Sequence, residues 1–193
     1  LLNGEELADL FIDSGEMSSH NQYNQLKEAI TLNKKKYNPE KKIDFDTPAY
    51  FSLKEVINYI KNLVKEKLDY TTKQPAVVGI DPADFTFDCY FRENLEFYQG
   101  TASTSTPRVS AGRFSSFQRF VTRLESKQSD RRLDFLIKSG EDLRTDNLPN
   151  LLKQLLGFTR GSDDKSNVTV LDLSGISFDV LSVAVSLVSR LVF

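Results

Sequence analysis

The sequence has no tryptophan and only one cysteine, one histidine and one methionine in 193 residues. A lone Cys89 cannot close an internal disulfide, and no Cys-rich zinc site can be built within one chain. Any Cys–His nucleophile would have to pair Cys89 with His20, and a Ser-His-Asp triad could use only His20. His20 stands beside a helix start without an Asp/Glu/Cys cluster at metal spacing, which makes it a surface residue first. Cys89 lies in an aromatic run and suits packing better than nucleophilic attack. No basic segment followed by an apolar core opens the chain, so no signal peptide is visible. With the lack of disulfide chemistry, this favours the cytoplasm. The apolar (39%) and charged (27%) fractions are ordinary, which disfavours collagen-like and fully disordered chains. The chain opens on Leu1-Leu2 and closes inside an apolar periodic run at Arg190-Leu191-Val192-Phe193, and so reads as a piece of a longer protein.

What is present is mostly helical. Asn3 with Glu6, Ser19 with Gln22, and Ser52 with Glu55 have capping-box spacing. Apolar residues at helical period follow each: Leu7, Leu10 and Phe11; Tyr23, Leu26, Ala29 and Ile30; Val56, Ile57, Ile60, Leu63 and Val64. Residues 34–48 are charged, hold two prolines and read as a connecting loop, with the Lys34-Lys35-Lys36 and Lys41-Lys42 runs solvated. Residues 71–112 are irregular and aromatic-rich, and the small polar run 101–106 predicts a mobile loop. Phe114, Phe117, Phe120, Val121 and Leu124 then share a helical face. A short helix is expected from about Leu148 to Gly157, followed by a polar loop over 160–167.

Residues 168–173, VTVLDL, predict a buried strand. It turns at Ser174-Gly175 into a helix from about Phe178 that is apolar almost all round. About 20 consecutive apolar residues are needed to span a membrane, and Ser182, Ser186, Ser189 and Arg190 interrupt a shorter run. Burial between a sheet and other helices fits better, with partner strands supplied from outside the chain.

Two constellations could carry chemistry. VTVLDLSG has the form of a Walker B strand, whose terminal Asp holds Mg²⁺, but Leu173 stands where the catalytic Glu would be. No Gly-x-x-x-x-Gly-Lys-Ser/Thr loop occurs in the sequence. The alternative is that Asp172 orients the turn with Ser174 and Gly175. The second is the segment 108–132, with seven Lys/Arg and two acids. Its net +5 leaves −7 for the rest of a chain totalling −2. Arg113, Arg119, Arg123, Arg131 and Arg132 are candidates for phosphate or subunit-interface contacts, or for a solvated, internally paired face.

The order of LLNGEELADLF (1–11), the capped helices, RLESKQSDRRLDFL (123–136), and VTVLDLSGI (168–176) with its apolar helix resembles the middle portion of the HerA-type ATPases, relatives of the FtsK DNA pumps. The likeness covers most of the chain, though 71–112 matches nothing in it and Ser177 stands where many members have Pro. It implies an α/β, predominantly helical stretch: a helical insertion plus part of a RecA-like P-loop ATPase core sheet. Residues 1–12 would be the edge of the core, 13–160 the insertion with an irregular, partly mobile middle, and 161–193 a core strand and buried helix. The phosphate loop would precede this stretch and the true Walker B strand follow it, so Asp172 would belong to a different sheet strand. The whole protein would be a hexameric ATP- and Mg²⁺-dependent translocase or helicase on double-stranded DNA. It would work with a nuclease or other effector in DNA end processing or anti-phage defence, with no membrane. This stretch alone would bind no cofactor and be inactive. The alternative is a non-catalytic helical module for oligomerisation or effector docking.

Overall fold

The computed structural model describes residues 4–47, 49–100, 108–134, 149, 152–153, 157 and 168–192. The expected Asn3 cap, the mobile loop at 101–106, most of the helix expected over 148–157 and the loop at 160–167 lie outside them. Among the described residues the chain is mixed α/β and mostly helical. The helices are α1 (Gly4–Phe11), α2 (Ser19–Tyr37), α3 (Leu53–Lys65), α4 (Gln118–Ser129) and α5 (Phe178–Val192). Strands β1 (Lys67–Asp69) and β2 (Val109–Ala111) form one small antiparallel sheet. No described helix is long and apolar enough to cross a membrane.

The chain divides into two compact units, Phe11–Ser126 and a discontinuous one made of Leu1–Leu10 with Lys127–Phe193. In the unit Phe11–Ser126, α3 packs against α2 on one side and against a 3₁₀ turn, Phe87–Phe91, on the other. The sequence puts apolar residues on two sides of α3: Val56, Ile57, Ile60 and Leu63 are buried together with Tyr59. Tyr59 meets Tyr90 and Phe91 at ring distances of 5.2 Å. Asn62 and Asn58 then satisfy the carbonyls that a buried 3₁₀ turn leaves open. Asn62 Nδ2 donates to Tyr90 O and Arg92 O, both at 2.8 Å, and Asn58 Nδ2 to Phe91 O at 3.3 Å.

Half of the capping box expected at Ser52 forms. Ser52 Oγ accepts from Glu55 N–H at 3.4 Å, but the Glu55 carboxylate turns away to Asn33, Lys36 and Tyr37, and Ser52 N–H donates to Asn33 Oδ1 instead. The box expected at Ser19 is displaced. Ser18 takes the cap position without a side-chain cap bond, and Gln22 Nε2 donates to Ser18 Oγ at 2.8 Å and to Glu16 at 2.6 Å.

β1 pairs with β2 in the register Lys67↔Ala111, Leu68↔Ser110, Asp69↔Val109. On its other edge it turns tightly into residues 74–76, through Asp69 N–H to Gln74 O and Ala76 N–H to Lys67 O, both 2.8 Å. Residues 96–98 continue that edge by pairing with 76–78.

In the other unit, α5 buries Val180, Val183, Ala184 and Leu187, a spacing of three and four that marks one face. The helix is therefore not buried all round: Phe178 (91% exposed), Val185 and Val192 lie open. The strand expected at 168–173 is not formed either. These residues lie outside any β ladder, and Val170 is 84% exposed. β-branched composition alone does not make a strand, because extended backbone is stabilised by a ladder partner. Glu6 of α1, itself buried, binds α5: Arg190 Nη2 donates to its carboxylate at 3.0 Å and Ser186 Oγ at 3.2 Å.

Candidate phosphate-contact surface

The five candidate arginines do not form one site. Phe120, Val121 and Leu124 bury the inner face of α4, with Phe117 in the turn before it, which leaves the arginines on the flanks of that face. Phe114 and Arg113 precede the helix, contrary to the longer helix that the pattern suggests. Arg113 and Arg119 are exposed. Arg123 is committed inside its own unit. Its guanidinium pairs with Glu16, lies 4.0 Å from Asp13 and donates to Phe11 O at 3.4 Å. Gln22 and then Arg123 hold the Glu16 carboxyl below its usual range against the opposing effect of burial. Phe11 and Arg123 are close to the two ends of the unit, so Arg123 closes its neck.

Arg131 and Arg132 belong to the other unit, in a 3₁₀ turn, Arg131–Leu133. Arg132 makes a fork onto Asp130 at 3.0 and 2.7 Å, and its backbone N–H donates to the same carboxylate. These bonds draw Asp130 down to about 2. Arg131 is exposed.

Asp172, Ser174 and Gly175 do form a turn. Asp172 Oδ1 accepts from Ser174 N–H at 2.9 Å and Ile176 N–H donates to Leu173 O at 3.0 Å. The bonds from Ser174 lower the Asp172 pKa. Among the described residues no group of three or more His, Cys, Asp or Glu converges. His20 is exposed, and Cys89 is buried.

The lysine run at 34–36 departs most from expectation, because it is the last turn of α2 and not loop. Lys34 is buried; its Nζ donates to Phe45 O at 2.6 Å and Thr47 O at 2.8 Å, drawing the following loop onto the helix. Desolvation lowers its pKa, opposed by Asp46 and Asp44. The signal was legible as position: Lys34 falls four residues after Ile30, on the face that buries Leu26 and Ile30. Lys36 pairs with Glu55 at 2.9 Å.

Sequence reasoning also missed Glu66, the last cap of α3. It is buried, accepts the Tyr90 hydroxyl and lies against Gly112, where a Cβ would sit 2.2 Å from its Oε2. Beside it Lys65, Lys67, Glu96, Phe97 and Gln99 line a shallow open cleft.

No protein-family model matches the chain, and no curated protein matches it.

Proposed function

We propose that the chain is the middle segment of a HerA-type ATPase, a hexameric motor that uses ATP and Mg²⁺ to move double-stranded DNA. It would act in the cytoplasm with a nuclease or other effector in DNA end processing or anti-phage defence. The order of RLESKQSD (123–130) ahead of VTVLDLSGI (168–176) carries this reading. The division of the chain supports it: a continuous unit, Phe11–Ser126, interrupts a unit built from both flanks. That is the topology of an insertion within a larger fold. ATP and Mg²⁺ would be held by residues outside this stretch, since it has no phosphate loop.

The test is ATP hydrolysis by the protein with and without duplex DNA, alongside its mass in solution. DNA-stimulated hydrolysis by a hexamer is expected, with none from the 193-residue stretch alone. Robust hydrolysis by this stretch would overturn the placement of the missing motifs, and a protein inert towards ATP would overturn the reading itself. A non-catalytic oligomerisation or effector-docking role is the second reading, favoured by the separate buried core of Phe11–Ser126. It predicts a stable oligomer or an effector complex without nucleotide.

A further inference from the structure

Six basic side chains among the described residues have carboxylate partners: Lys36 with Glu55, Lys54 with Glu93, Lys61 with Glu125, Arg123 with Glu16, Arg132 with Asp130 and Arg190 with Glu6. Others are in no salt bridge, and four of these stand on or beside the β1–β2 ribbon. Lys65 leads into it, Lys67 opens β1, Lys73 sits in its turn and Arg108 precedes β2. None of these four is in a salt bridge among the described residues.

The turn is built around an aromatic ring. Tyr70 is half exposed, its N–H donates to Arg108 O at 2.8 Å, and Lys73 Nζ lies 4.4 Å from the centre of its ring. Asp69 accepts from Thr71 N–H at 2.9 Å, Thr72 N–H at 2.8 Å and the Thr72 hydroxyl at 3.1 Å, and its charge faces Lys73. Lys73 holds φ at +59°, the only non-glycine residue at positive φ among those described. Gly or Asn would adopt that conformation with less strain. Cations outside any salt bridge beside a half-exposed aromatic ring match the chemistry of a nucleic-acid backbone and a base face.

We infer that the β1–β2 ribbon is a DNA contact, in which Lys65, Lys67, Lys73 and Arg108 meet backbone phosphates and the Tyr70 ring stacks on a base at an unpaired end. The inference rests on the DNA-translocase reading for its choice of partner and moves the contact away from α4, whose Arg123 is already committed.

The experiment is fluorescence anisotropy of the chain with a labelled duplex bearing a short single-stranded end, over a salt series and without nucleotide. Neutralising all four cations (K65Q, K67Q, K73Q and R108Q together) is expected to weaken binding roughly tenfold or more and to flatten the slope of log affinity against log salt by about 2 to 4. Tyr70→Ala is expected to weaken binding roughly tenfold while leaving that slope unchanged. Lys73→Asn, which suits the turn, should lose affinity while keeping or raising the thermal midpoint, so that lost binding is not mistaken for lost folding. An unchanged affinity and slope in the fourfold variant, or no binding by the wild-type chain at low salt, overturns the inference. Because the assay uses no ATP, that failure leaves the ATPase reading to be judged by hydrolysis, and a failure of hydrolysis leaves this result legible.

Discussion

Glu66 sits 8% exposed at the end of α3, with the Tyr90 hydroxyl and the Arg113 backbone N–H as donors. Burial outweighs both donors and raises its pKa, while Tyr90, buried and facing that carboxylate, is pushed far above the usual phenol range. A raised carboxyl keeps its proton in the folded state at pH values where the unfolded chain has released it. Its contribution to stability is therefore full below the unfolded value near 4.5 and is lost as pH rises through the folded one. Glu66→Gln removes this dependence. In urea titrations the wild type is expected to gain on the variant as pH is lowered from about 7 to about 4.5. A difference that stays constant with pH would contradict the assignment. Lys34 shows the same lesson from the basic side: a residue's charge said less about its place than its position on a helical face.

Among the elements, α3 and the ribbon meet closely at Glu66 and Gly112. Gly112 N–H donates to Glu66 O at 2.9 Å, and a Cβ on Gly112 would lie 2.2 Å from Glu66 Oε2 and 2.8 Å from its Cβ. The Cβ of Glu66 cannot swing aside as a flexible tip would. Gly112→Ala is expected to cost about 1–3 kcal/mol of stability in denaturant unfolding. Shortening the neighbour should recover part of that loss, so the pair G112A and Glu66→Ala should be non-additive. Full additivity would mean that the two positions do not meet. The helices of this junction were legible in sequence, because α3 carries both a cap and a strong apolar period. The ribbon was not: KLD and VSA are three residues each, too short to show alternation, and their pairing joins positions about forty apart. At 168–173 composition announced a strand with partners expected from outside the chain, and among the described residues it lies in no ladder. Of the five arginines picked out by charge, sequence had no means of separating Arg123 from Arg119, since the acids that bind Arg123 lie more than a hundred residues away.

At the scale of the molecule, the unit Phe11–Ser126 is closed by Arg123 and supported by Lys61–Glu125 at 2.8 Å between α3 and α4. Arg123→Gln leaves Glu16 with Gln22 as its remaining donor and releases Phe11 O. For a partly exposed pair the expected loss is about 1–2 kcal/mol. Hydrogen exchange should quicken at residues 11–16 and along α4 while the middle of α3 stays protected. Uniform acceleration across the unit would assign Arg123 a global role instead.

That neck also bears on the order of folding. Glu6 and Arg190 are 184 residues apart, and joining them directly in an unfolded chain means closing a very long loop. Once Arg123 has met Phe11, the 112 residues between them no longer count as slack, and roughly seventy remain to be closed. By chain-closure scaling this makes the second encounter about 1 kcal/mol easier, or roughly fourfold more frequent. On the ribosome α1 emerges well before α5, so Glu6 must wait for Ser186 and Arg190 until the chain between them has been made. A chain whose neck closes late would prolong that wait, and with it the period in which an apolar helix is open to chaperones or to aggregation.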